Sequence, residues 1–282
     1  AQTTASRYTE IDRTTLSVPP VQTKTTQGVA DWINAHFTSP RDKVRAVFIW
    51  TASTFEYDVE NMYALNMTET KEEKIKKIML LHKGVCENYA AVFDELCQKC
   101  GIKSWIVPGY TKTNNQGAEL PHGWNVALID NVYYLFDPTW GSGYINEKRK
   151  YVRRIDEKYF MAEPSVLART HYPFDPMWQL SEHPLSAQEF ADNTEADKSR
   201  PIFSYRDSIA LWDKLSHVEQ LETEARRTEQ NGIKTSVGYN YLAYLKNNAN
   251  VQRRNTLADV YNKAVNEYNA AVKDLNTFIN YY

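Results

Sequence analysis

The 282-residue chain carries 33 basic and 35 acidic side chains, a formal charge of -2, which excludes a global field that would draw it to nucleic acid or to an anionic membrane surface. A hydrophobic content of 42% with 13% aromatic residues excludes a disordered chain, and the length suffices to bury a core without disulfide staples. Three cysteines allow at most one intramolecular disulfide and leave at least one thiol unpaired.

No apolar run reaches the length of a membrane span. The start, Ala1-Gln2-Thr3-Thr4-Ala5-Ser6, has neither an initiator Met nor the apolar core of a signal peptide. Signal removal and trimming both leave such a start, and the expected location is extracytoplasmic, periplasmic or secreted.

In chain order, residues 1–28 are rich in Thr, Val and Pro and read as an extended N-terminal arm, followed by a short helix from Asp31 to Phe37. Between Arg41 and Phe55, Val44, Val47, Phe48, Trp50 and Thr51 recur at helical spacing. Thr70 is placed to cap a second amphipathic helix over Lys71–Leu81, whose Ile75, Ile78, Met79 and His82 share a face. A third, buried helix starts at Cys86, with Tyr89, Ala90, Phe93, Leu96, Cys97 and Cys100 turned inward and Gly101 as its C-terminal cap. Ser104–Tyr110 reads as a strand, and Thr113–Gly117 as a turn-rich loop.

Two further β-prone runs follow, His122–Ile129 and Val132–Asp137, separated by Asp130-Asn131, a dipeptide suited to the positive φ of a tight hairpin. From Tyr151 to Phe190 the sequence is punctuated by proline, and Ala191–Arg200 is polar and reads as a boundary. Beyond Pro201 the pattern is helical, with Leu257, Tyr261, Ala264, Tyr268, Val272, Leu275 and Ile279 forming one stripe. This gives three parts: an arm over 1–28, an α+β domain over 29–195 and an all-α C-terminal domain over 196–282, expected as a packed antiparallel helical hairpin or bundle.

The hairpin has a derivable geometry. With Asp130 and Asn131 as loop residues, Ile129 faces Val132, and Asp137 falls opposite Trp124. Opposed and alternate residues share a face, so His122 lies on the face of Asp137, one diagonal step of roughly 7–8 Å away. A one-residue slip would put the two on opposite faces. Cys86, at a helix start, meets unsatisfied N–H groups and the positive end of the helix dipole, which favour an anion there. A helix backing onto the sheet would bring the three together as nucleophile, base and orienting carboxylate.

The strings Gly84-Val85-Cys86-Glu87-Asn88-Tyr89-Ala90, Gly109-Tyr110, His122-Gly123-Trp124-Asn125 and Phe136-Asp137-Pro138-Thr139-Trp140-Gly141 carry these residues in the order Cys, His, Asp. Together they resemble the core of the transglutaminase-like superfamily. Phe48-Ile49-Trp50, Tyr57-Asp58, Tyr159-Phe160, Pro164, His171-Tyr172-Pro173 and Trp178-Gln179-Leu180 look like the branch of the kyphoscoliosis peptidase and cytokinesis-related proteins.

The resemblance spans roughly residues 30–190. It implies a papain-like α+β fold, with the Cys helix packed on an antiparallel sheet, and acyl-thioester chemistry by Cys86, His122 and Asp137 without cofactor or metal. The implied oxyanion donors are the Cys86 N–H and one side chain, Trp50 or alternatively Tyr57, with Trp124 and Trp140 beside the groove. The implied partner is a protein or peptide substrate. Cleavage of a peptide or isopeptide bond is the first expectation, protein-glutamine crosslinking the second, and a catalytically silent binding module the third.

Cys97 and Cys100 are spaced as Cys-x-x-Cys but sit at a helix C-terminus, where the dipole disfavours thiolate, and read as core. His36, His82, His171, His183 and His217 have no metal-ligand spacing among themselves and read as surface or supporting residues. The Tyr-rich tail reads as a packed amphipathic helix, with a protein-partner surface as the other reading.

Overall fold

A computed structural model describes residues 4–62, 68–112 and 119–281. The loop expected over Thr113–Gly117 lies outside the described residues.

The N-terminal arm is not extended. Thr4–Thr15 form helix α1, held by burial of Ile11 and by Asp12, whose carboxylate accepts two hydrogen bonds from Arg45 at 2.8 and 2.7 Å. Arg45 is almost fully buried on the next helical layer and also pairs with Glu157. Thr-rich composition argued against helix here, and docking onto a buried arginine overrides it. Helix α2 spans Thr26–His36, capped by Thr25, and α3 spans Pro40–Thr54 with Ser39 as N-cap and proline in the first turn, where its missing N–H costs nothing.

Strand β1 (Glu56–Tyr57) runs parallel to β2 (Lys83–Gly84). Between them α4 (Lys71–Leu81) starts in a capping box, Thr70 accepting from the Glu73 N–H and Glu73 accepting from the Thr70 N–H. Helix α5 (Cys86–Lys99) ends as the sequence predicts: Gly101 takes φ +77°, its N–H reaches Gln98 O and the Ile102 N–H reaches Cys97 O, a Schellman motif. Its inward face, with Tyr89, Val92, Phe93 and Leu96, joins α2, α3 and the sheet in one hydrophobic core.

The main sheet is antiparallel in the order β5-β4-β3-β8, from β3 (Lys103–Lys112), β4 (Glu119–Ile129), β5 (Val132–Phe136) and β8 (His171–Pro173). The expected hairpin register is present: Ile129 pairs with Val132 and Asn125 with Phe136, and Asp130 and Asn131 take φ of 52° and 61°. A second hairpin, β6 (Gly143–Ile145) with β7 (Tyr151–Arg153), follows β5. Short helices α6 (Pro164–Leu167) and α7 (Ala187–Asp192) complete this part. The fold is α+β, with the cysteine helix packed on an antiparallel sheet.

Two compact units divide between Tyr205 and Arg206. The polar stretch 191–200 belongs to the first, because Glu189 accepts from the Asp197 N–H and pairs with Arg200, whose guanidinium also reaches Pro184 O. The second unit is helical. Helix α8 (Tyr205–Trp212) leads into it, and α9 (His217–Gln230) packs on the first half of the 46-residue α10 (Ser236–Tyr281). Leu221, Ala225, Tyr241, Leu242, Leu245 and Ala249 are buried, and the Tyr241 hydroxyl donates to Glu224 at 2.6 Å. Beyond Ala249 the expected packed face is not packed: Leu257, Tyr261, Tyr268, Leu275 and Ile279 are exposed, because among the described residues no second helix accompanies this half of α10. No described helix is long and apolar enough to cross a membrane.

Candidate active site

Cys86 is the first residue of α5. Val85 supplies no side-chain cap; the start is fixed instead by Asn88, whose carboxamide oxygen accepts from the Val85 N–H at 2.9 Å while its nitrogen donates to Lys74 O of α4 at 3.1 Å. The first N–H groups of the helix therefore have no side-chain acceptor at the cap position. Gly84 is closely approached, since a Cβ would lie 2.9 Å from the end of the Ile78 side chain and 3.0 Å from Asn88. Across β2, Tyr57 pairs with Gly84, which sets the tyrosine beside the start of α5.

His122 sits on β4 opposite Gly109 of β3. A side chain at Gly109 would come within 2.3 Å of Tyr172 O and 2.5 Å of the Trp124 ring, so the glycine makes room for the indole that stacks on His122 at 6.0 Å. Asp137 is one residue beyond β5, its N–H donating to Tyr159 O. The derived diagonal holds: His122 Nε2 lies 2.8 Å from Asp137 Oδ2. With Nε2 committed to the carboxylate, Nδ1 is the ring nitrogen left for Cys86.

Asp137 is fully buried and has four contacts. Oδ1 accepts the Thr139 and Trp140 N–H groups at 2.8 and 3.0 Å. Oδ2 takes His122 and, at 3.0 Å, Nε2 of His171. The sequence reading left His171 among surface or supporting residues; it is buried at the centre of the site, brought there by the pairing of His171 with Thr111 of β3. The only sequence signal for it is its place in the His171-Tyr172-Pro173 string. A ring nitrogen of each histidine and a carboxylate oxygen of Asp137 lie within 4.8 Å of one another, a grouping that could hold a metal ion.

Charge in this interior is divided unevenly. Burial disfavours ionisation of every group, yet the two imidazoles hold the Asp137 carboxyl well below the usual carboxylate range. For His122 burial is likewise opposed and outweighed, by the Asp137 carboxylate and by the influence of Cys86, so that its pKa is pushed up to about 10. His171 moves the other way, lowered by burial and by the neighbouring His122 against the pull of Asp137.

A cleft of about 340 Å³ opens on His122 and is lined by Tyr57, Trp140, Tyr144, Tyr151, Tyr159 and Arg154, among others. Of the candidate donors, Tyr57 lines this cleft, whereas Trp50 lies in the core with its ring edge-on to Phe55. Trp124 is buried behind His122. Cys86 itself is only 1% exposed. A larger hollow, about 910 Å³, is lined by Lys112, Arg169, His183 and Lys198 and includes none of Cys86, His122 and Asp137. Cys97 and Cys100 are buried, unpaired thiols; burial raises both, Cys100 to about 11, so neither is poised for thiolate chemistry.

A cysteine at a helix start set against a histidine and an aspartate on an antiparallel sheet defines the papain-like class of cysteine proteases and acyltransferases. Residues 27–138 match the model of the Transglutaminase-like superfamily. The chain is 31% identical over 162 residues to kyphoscoliosis peptidase of Mus musculus, a match covering 55% of this chain and 24% of that protein. It is 21% identical over 182 residues to cytokinesis protein 3 of Schizosaccharomyces pombe, covering 61% and 20% of the two chains. The chain thus spans between a fifth and a quarter of the length of these curated relatives. Among solved structures, the periplasmic domain of TgpA from Pseudomonas aeruginosa is similar at 19% identity and a TM-score of 0.32, covering 47% of this chain and 48% of that one.

Proposed function

We propose that this chain is a thiol acyl-transfer enzyme, a cysteine peptidase or amidase that opens peptide or isopeptide bonds through an acyl-thioester. The observation that carries this reading is His122 bonded through Nε2 to a fully buried carboxylate, with Cys86 at the start of the helix that packs on the same sheet. The match to a peptidase supports the choice of hydrolysis.

In this mechanism Cys86 Sγ forms a bond to the carbonyl carbon of the scissile amide, its proton residing on His122 Nδ1. His122 returns the proton to the leaving amine as the C–N bond breaks. Water then attacks the thioester carbonyl, His122 takes a proton from it, and the carboxylic acid leaves as the thiol re-forms. Asp137 holds the imidazole in place throughout and stabilises its cation. The Cys86 N–H is the proposed backbone oxyanion donor, and Tyr57, on the cleft wall, the side-chain donor. Because Cys86 is buried, a substrate carbonyl reaches the sulfur only if the groups over it yield.

The test is trapping. Peptide and isopeptide substrates are mixed with the protein, quenched in acid and analysed by mass spectrometry, with and without a primary amine. An acyl adduct on Cys86 that turns over to free acid, and is lost in Cys86→Ala, is the expected result. Adduct transfer to the amine in preference to water would replace hydrolysis with crosslinking. No adduct, together with iodoacetamide labelling of Cys86 no faster than of a free cysteine, would sink the enzymatic reading and leave a binding module.

A further inference from the structure

The β6–β7 hairpin forms one wall of the cleft that opens on His122, and its charge is unlike that of the chain as a whole. The chain carries a net charge of -2, yet residues 146–154 hold five basic side chains and one acidic. The five do different things. Arg153 is spent inside the protein, donating to Ala52 O and Phe55 O at 2.9 and 2.8 Å, which clamps the hairpin to the end of α3. Arg149 and Lys150 line an adjoining hollow of about 380 Å³, where Glu56 and Glu60 share the wall and answer their charge. Lys148 lines neither space.

Arg154 stands apart from these four. Its backbone N–H is fixed to Ser142 O at 3.0 Å, and its guanidinium lies over the Tyr144 ring at 5.1 Å on the cleft wall. Among the described residues no carboxylate pairs with it. Asp156, the one carboxylate lining the cleft, is turned to its own loop: Oδ1 accepts the Lys158 N–H at 3.1 Å and Oδ2 lies 3.7 Å from Lys158 Nζ. The rest of the wall is largely aromatic, from Tyr57, Trp140, Tyr144, Tyr151 and Tyr159. Thr139, buried on the same wall, has a hydroxyl with no hydrogen-bond partner among the described residues, a second polar group that the protein itself leaves unanswered.

A guanidinium whose face is covered by a ring keeps its N–H edge, and that edge matches a carboxylate in bidentate geometry. We propose that Arg154 is the specificity-determining residue of this cleft and that the substrate is a peptide presenting a carboxylate beside the scissile bond, from an acidic side chain or a chain end. This rests on the acyl-transfer reading of Cys86, His122 and Asp137, and it names the class of substrate that site accepts. The aromatic wall takes the apolar part of the same peptide, so that charge selects and the rings hold. An arginine that merely covered Tyr144 would be indifferent to the charge of a bound peptide.

The experiment uses peptides of one sequence bearing a neutral fluorophore, with Glu, Gln or Lys at successive positions and the C-terminus either amidated or free. Binding to full-length Cys86→Ala is read by anisotropy, and cleavage by the wild type is read as kcat and KM. At the preferred position Glu is expected to bind about tenfold more tightly than Gln, with Lys weakest and the order compressed at high salt. In the wild type the same order is expected in KM. A preference confined to free C-termini identifies the chain end as the carboxylate recognised. Adding Arg154→Glu to Cys86→Ala is expected to reverse the order, and Arg154→Lys to keep it in part.

Equal affinity for Glu, Gln and Lys peptides, or a Glu preference that survives Arg154→Glu, would overturn the proposal. The two readings fail separately. Ordered binding without cleavage of any peptide would defeat the acyl-transfer reading and leave the subsite standing, whereas cleavage indifferent to peptide charge would do the reverse.

Discussion

The surroundings of Asp137 and the outer half of α10 invert the usual relation between polarity and burial. At Asp137 a carboxylate and two imidazoles sit inside the protein with all four carboxylate contacts made. Along α10, Leu257, Tyr261, Tyr268, Leu275 and Ile279 lie exposed at a regular helical spacing. Burial of the polar cluster is tolerable because each group satisfies another, so that removing one member strands the rest. Exposure of the apolar stripe shows that periodicity marks a face able to be buried; whether it is buried depends on a partner elsewhere in sequence.

The largest effect that probes this contrast belongs to the proposed nucleophile. Cys86→Ala is expected to lower any Cys86-dependent hydrolysis by at least about 1000-fold without lowering stability, read as kcat/KM beside an unfolding curve. A residual activity near wild type would detach the polar cluster from catalysis. Next come two leucines of one helix. Leu245→Ala, at a buried position of α10, should cost about 2–5 kcal/mol in denaturant unfolding of the helical unit, whereas Leu275→Ala should stay within about 0.5 kcal/mol. Equal losses would show that the outer stripe is covered in solution.

Gly109→Ala is an intermediate case, placing a methyl against Tyr172 O and the Trp124 indole. A loss of about 1–3 kcal/mol should come with reduced reactivity at Cys86, because the displaced ring is the one that backs His122. Unchanged stability would mean that β3 and β8 separate easily and that His171 is loosely held.

The smallest expected effect is electrostatic. The folded state raises His122 from 6.5 to about 10, so its ionic contribution to stability is complete below pH 6.5 and is lost as pH rises through 10. Asp137 has the opposite sign: its pKa is lowered, so its contribution is present above the ordinary carboxylate pKa and is lost as pH falls towards the folded value. The stability gap between wild type and His122→Gln should therefore shrink between pH 7 and 10. A gap independent of pH over that range would show that His122 is not the charged ring.

Much of this arrangement was legible in the chain itself. The two-residue turn Asp130-Asn131 sets the register of β4 and β5 locally, and with it the face shared by His122 and Asp137. The cap glycine, the apolar face of α5 and its start at Cys86 are equally local, written within a few turns of one helix. Other features had no local signature. His171 reaches Asp137 only because a three-residue strand, with no hairpin turn to fix its register, pairs with β3 from far along the sequence. Helix α1 is stable where its composition disfavours helix because Asp12 finds Arg45, which also holds Glu157, and Tyr57 reaches the cleft wall through a two-residue parallel pairing.

The sequence by itself therefore determined that Cys86 starts a helix and that His122 and Asp137 share one face of a hairpin, since short-range geometry governs a helix start and a tight hairpin. Only the tertiary structure decided the second imidazole on that carboxylate and the exposure of the outer α10 stripe, because both depend on which distant segment, if any, arrives to pair.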